Sequence, residues 1–197
     1  MIRAVLYTLL GWTLLASVAG LGHSFGLTVM LPSTSAVLLA HLAFTRERAS
    51  RPSGPELSLP LGLAVAIALG YLEDQHQGTP IGALALAHGL AYLLTVWAGT
   101  RIAVESAVVR ALAAGVVAAL VDLLTFGELM LLAERLAIDP RALVHALPQL
   151  RWHGLATVLA APAVWLLADV VLGLWDRALG RSRARPRAAS APLWYRS

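Results

Sequence analysis

Long apolar runs, several close to the length that crosses a bilayer, constrain this chain more than any other feature. They occupy residues 1–21, 27–44, 59–72, 81–102, 104–132 and 154–175. A membrane-crossing helix needs about 20 predominantly apolar residues. In hydrocarbon, only helices and closed barrels satisfy every backbone donor and acceptor. The runs predict an all-α, polytopic membrane bundle of about six helices over residues 1–176, followed by a basic tail, 177–197, that reads as disordered. Charged residues make up 13% of the chain, against about 25% in ordinary soluble domains. That leaves no room for a sizeable domain outside the membrane.

All fifteen basic residues are arginine. Without lysine, Schiff-base and Walker-type phosphate chemistry are excluded. Without cysteine, so are disulfides and thiolate-ligated metals. The pI of about 10.3 would suggest nucleic acid in a soluble protein. Here the arginines fall between the apolar runs and in the tail, so topology accounts for them and no nucleic-acid partner is expected. Arg3, the 45–58 loop, Arg101, Arg110 and the tail carry twelve of the fifteen, and Arg135, Arg141 and Arg151 fall on the other side. By the positive-inside rule both termini are cytoplasmic. Trp97 and Trp175 then mark the inner interface and Trp152 the outer.

Between the third and fourth runs lies Gly-Tyr-Leu-Glu-Asp-Gln-His-Gln-Gly-Thr-Pro-Ile-Gly, residues 70–82. Glycine permits positive φ, and proline removes a donor and biases the residue before it away from the helix. The expectation is a backbone break from Gly70 to Gly82, with Glu73, Asp74 and His76 facing outward. It reads either as a loop between spans or as a functional surface. The third run, 59–72, reaches only about 21 Å, so it needs flanking residues to complete a span or ends within the membrane. Gly22–Gly26 is expected as a turn. The 133–153 connection is expected to hold an interfacial helix interrupted near Pro140 and Pro148.

Few polar groups lie inside the runs. Asp122 falls near mid-membrane, where a charge costs at least about 2.5–3.5 kcal/mol, so it must be paired, protonated or turned inward. A hydroxyl of Ser33, Thr34 or Ser35 is the expected partner, with a proton or ion site as the functional alternative. Glu128 lies six residues on, about 600° around the helix, so the two acids do not pair. Asp169 is expected to pair with an arginine near the inner surface. His41 and His88 read as satisfied packing residues. His23, His76 and His153 have no metal-ligand spacing, and no cofactor is expected. Small residues form rows at Gly62/Ala66/Gly70, Gly82/Ala85/Gly89 and Ala111/Gly115/Ala119. Such rows allow close helix approach, either within one bundle or toward a partner's helix.

At the central stretch the chain resembles the MreD family of rod shape-determining membrane proteins. That family has a Gly-x-x-x-Asp-x-x-x-Gly-x-Pro-x-Gly-like signature at the end of its third span, matched here by Gly70, Asp74, Gly78, Pro80 and Gly82. Ala160-Ala161-Pro162 is similar to the start of the family's last helix. The resemblance implies no enzyme activity. It implies a scaffold that binds MreC, a single-span membrane protein, and through it meets MreB filaments, the RodA glycosyltransferase and its transpeptidase, positioning peptidoglycan synthesis. It also implies a fold like the substrate-binding subunit of energy-coupling-factor vitamin transporters, which makes a small-molecule-binding transport subunit the alternative. The expected contact surface for the scaffold is the 70–82 break, including Glu73, with the small faces of the third and fourth spans.

Overall fold

The computed structural model describes residues 1–25, 31–48, 57–101 and 106–179. Within them are six helices: α1 (Ile2–Phe25), α2 (Thr34–Arg48), α3 (Leu59–Gln77), α4 (Ala83–Gly99), α5 (Ala107–Leu132) and α6 (Pro140–Ala178). No strand occurs among the described residues. Among the described residues, three stretches are long and apolar enough to cross a membrane: Ile2–Ser24, Ala107–Leu132 and Leu150–Ala178. Most of their surface faces outward, as in a membrane-associated protein.

The bundle is built around α2, which touches all five other helices. The reason lies in its sequence. From Thr34 to Phe44 it carries no formal charge, and Ala36, Val37, Leu38, Leu39 and Ala40 are wholly buried. A helix apolar on every side belongs in the interior. It spans only about 22 Å, less than the roughly 30 Å hydrocarbon core. Around it, α1 turns Ala4, Tyr7 and Leu15 inward and Val5, Leu9 and Trp12 outward. Side-chain contacts fix the directions. Tyr7 meets His41, Ser35 meets Glu73, and Asp122 meets His153, so each of those helix pairs is antiparallel. Thr157 meets Ser33 and Trp165 meets Val37, so α2 and α6 run parallel. Arg3 and Asp176, 2.6 Å apart, bring the start of α1 to the end of α6.

Several expected boundaries change. α1 continues helically through Gly22 to Phe25 where a turn was expected, and Gly26 lies outside the described residues. α3 runs through Gly70, Glu73 and Asp74 to Gln77, so it reaches about 28 Å and the break shrinks to residues 78–82. Gly70 therefore sits inside a helix, used for the space it leaves rather than for its φ. The separate interfacial helix is absorbed into α6, because Pro140 is its first residue and the Asp139 carboxylate accepts from Arg141 N at 2.9 Å. Pro148 and Pro162 then lie inside a helix of about 58 Å. Most of the 45–58 loop and of the tail lies outside the described residues.

Candidate functional site

The 78–82 turn is closed by one side chain. Asp74, on the last turns of α3, is 1% exposed. Its carboxylate accepts from Thr79 Oγ1 (2.6 Å), Gly82 N (2.9 Å), Leu84 N (2.9 Å) and Ala85 N (3.4 Å). These are donors of the turn and of the first turn of α4, which has no side-chain cap of its own. A helix start leaves N–H groups unpaired and carries partial positive charge. Asp74 serves both needs from the neighbouring helix. Gly78 ends α3 at φ 70° and Gly82 precedes α4 at φ 101°, a region where a Cβ is costly. A Cβ on Gly70 would collide with the Leu84 carbonyl and lie 2.7 Å from Ala85 Cα. Gly70, Asp74, Gly78 and Gly82 thus work as one device, a tight helical hairpin.

Consecutive helix residues point about 100° apart, so Glu73 faces a different neighbour from Asp74. It is 3% exposed. Its Oε2 accepts from Ser35 Oγ on α2 and lies 3.2 Å from His88 Nε2 on α4, and its Oε1 accepts from Gln77 Nε2 at 2.7 Å. His88 is wholly buried, with Nδ1 2.8 Å from the Leu84 carbonyl and Nε2 3.0 Å from Ser35 Oγ. Ser33 caps α2 by accepting from Ala36 N, touches Ser35 Oγ at 3.1 Å, and donates its own N–H to Thr157 of α6. Two adjacent acids on α3 therefore serve the starts of two different helices. His76, by contrast, is exposed and bonds back to its own Leu72 carbonyl.

Asp122 is paired with His153 of α6 at 2.8 Å, not with the α2 hydroxyls. Of those hydroxyls, Ser35 meets Glu73 and His88, Ser33 meets Ser35 and Ala36 N, and Thr34 Oγ1 is buried with no hydrogen-bond partner among the described residues. Asp122 and Glu128 do not pair. Glu128 Oε1 is buried with no hydrogen-bond partner among the described residues. At the other end Asp169 faces His41 at 3.3 Å rather than an arginine, while Arg3 goes to Asp176. His41 also meets Tyr7 at 2.9 Å.

The small-residue rows are used inside the chain. Gly62 lies under the Tyr92 hydroxyl, Gly89 against Ile67, and Gly115 against Val158. The small faces of α3 and α4 thus pack inside the bundle and form no open groove between these two helices. No group of three or more His, Cys, Asp or Glu among the described residues is placed to hold a metal.

The Glu73–His88 contact was not foreseen, although the sequence holds a signal for it. Glu73 lies seven residues before Pro80 and His88 eight after it. In an antiparallel hairpin turning at Pro80, the two become neighbours. The partnership of His153 with Asp122 has no comparable local cue. No family model matches the sequence, and neither a curated protein nor a solved structure matches it.

Proposed function

We propose that this chain is a six-span scaffold of the bacterial inner membrane, similar to the MreD family, that holds a MreC-like single-span partner and helps position peptidoglycan synthesis. The observation that carries this reading is the hairpin. Gly70, Asp74, Gly78 and Gly82, four of the residues that bear the resemblance, act together as one structural unit, so they are more than a chance cluster of glycines. All six helices cross the membrane in this reading. α2, α3 and α4 are short for the crossing, at about 22, 28 and 26 Å, and are sheltered by their longer neighbours. Both termini lie in the cytoplasm, on the side that holds twelve of the fifteen arginines.

The docking face moves from its expected place. Glu73, Asp74 and the small faces of α3 and α4 are committed inside the bundle. The outward stripe of α4, Leu86, Leu90, Leu94 and Trp97, is exposed at helical spacing. A partner helix lying along it would exchange lipid contact for packing.

Affinity purification of the tagged chain from its native membrane tests the reading, with mass spectrometry of proteins and small molecules. Recovery of a single-span coiled-coil protein with cell-wall synthases supports it. Recovery of a stoichiometric vitamin with an ATPase module overturns it in favour of the transport subunit. Leu90→Trp and Leu94→Trp should lower partner recovery severalfold at unchanged expression, and unchanged recovery refutes the α4 stripe.

A further inference from the structure

Hydrogen-bond chemistry limits how protons can be arranged around His88. The Leu84 carbonyl can only accept, so His88 Nδ1 carries a proton. His88 Nε2 then faces Glu73 Oε2 at 3.2 Å and Ser35 Oγ at 3.0 Å. Ser35 has one hydroxyl proton to donate. With an ionised Glu73 and a neutral imidazole, both Nε2 and Oε2 would be acceptors competing for that one proton. Leaving a buried acceptor bare, beside a buried uncompensated charge, is costly. One further proton resolves this in either of two ways. His88 is an imidazolium donating from Nε2 while Ser35 donates to a carboxylate. Alternatively, Glu73 is a carboxylic acid donating to Ser35, which donates to a neutral imidazole. The two forms interconvert when the Nε2 proton passes to Ser35 Oγ as the Ser35 proton passes to Glu73 Oε2. No net charge enters or leaves.

We infer that Ser35, Glu73 and His88 form a buried proton-binding site whose single bound proton ties the start of α2 to the α3–α4 hairpin. The site holds zero net charge. Its proton acts as a structural ligand joining three helices, one of which is the central one.

Several other groups lie at this end of the bundle. α3 contributes Asp74, committed to the start of α4. α5 contributes Asp122 and Glu128. α6 contributes His153, which is paired with Asp122. α2 contributes the hydroxyls of Ser33 and Ser35. On α1, His23 is exposed. The side chains of Asp122 and His153 are 11% and 23% exposed, which makes them the more accessible acid–imidazole pair beside the buried one.

The test uses the full chain in nanodiscs at neutral pH. Nitrogen NMR of labelled histidine, assigned with His88→Gln, reports the ring protons. Infrared difference spectra against Glu73→Gln report whether that side chain is an acid. A doubly protonated His88 ring, or an acid carbonyl band that vanishes in Glu73→Gln, supports the site. A neutral His88 beside an ionised Glu73 overturns it. Thermal unfolding gives a second reading. His88→Gln, which removes the partner of the Glu73 carboxyl, should lower Tm by several degrees, and adding Glu73→Gln should recover most of the loss. Strictly additive losses overturn the proposal. If a single variant does not fold, the spectra of the unaltered chain still decide.

Discussion

Asp74 concentrates the most structure into one side chain. Its carboxylate satisfies four donors, three of them backbone N–H groups. Asp74→Ala should therefore destabilise the protein by on the order of 3 kcal/mol, since it removes a helix cap and leaves buried donors bare. Asp74→Asn, which keeps one acceptor oxygen, should cost less. Denaturant or thermal unfolding in detergent checks both, and equal losses would mean that the cap is not what matters. Gly78 and Gly82 differ from Gly70 in kind. A Cβ at either meets nothing within 4 Å, so Gly78→Ala and Gly82→Ala should each cost only the positive-φ term, about 1 kcal/mol. A much larger loss would point to a contact outside the bundle.

At the scale of elements, helix pairs meet where glycine lets them. The hard contact at Gly70 is backbone of α4, while at Gly62 it is the end of the Tyr92 side chain. Backbone cannot step aside, whereas a side-chain tip can rotate. Gly70→Ala should thus be far more damaging than Gly62→Ala, by at least about 1–3 kcal/mol from overpacking. Unfolding of the two variants side by side gives the ranking, and the reverse order would refute the close α3–α4 approach. The helices themselves were readable from the sequence to within a few residues at several boundaries, because apolar length and composition are local. The extension of α3 through its acids was not. Glu73 and Asp74 look like loop residues until the donors awaiting them on α2 and α4 are known.

For the whole molecule, topology is the quantity to measure. The chain has no cysteine, so single substitutions report position without background. His76 is exposed near the hairpin end, and Ile2 is exposed at the start of α1, beside the Arg3–Asp176 contact. His76→Cys should react with a membrane-impermeant maleimide on intact cells, and Ile2→Cys only after lysis. Labelling of both from one side would rule out the six-span arrangement. The Arg3–Asp176 contact that joins the start of α1 to the end of α6 is partly exposed, and such pairs contribute little. Arg3→Gln should therefore leave Tm within about 2 °C of the parent.

Sequence alone determined that this chain is helical and apolar enough to belong with a membrane, because the need to satisfy backbone groups in hydrocarbon acts on each segment separately. It also marked residues 70–82 as special, since glycine and proline announce their backbone demands locally. Only the tertiary structure decided what that stretch does. It made Asp74 the cap of a neighbouring helix, sent Glu73 to Ser35 and His88, gave Asp122 to His153, and turned the small-residue rows inward. Such pairings depend on which helices lie side by side and in what register. That is settled by how α2, with its uncharged and buried stretch from Thr34 to Ala43, is enclosed by its five neighbours, and no single segment carries that information.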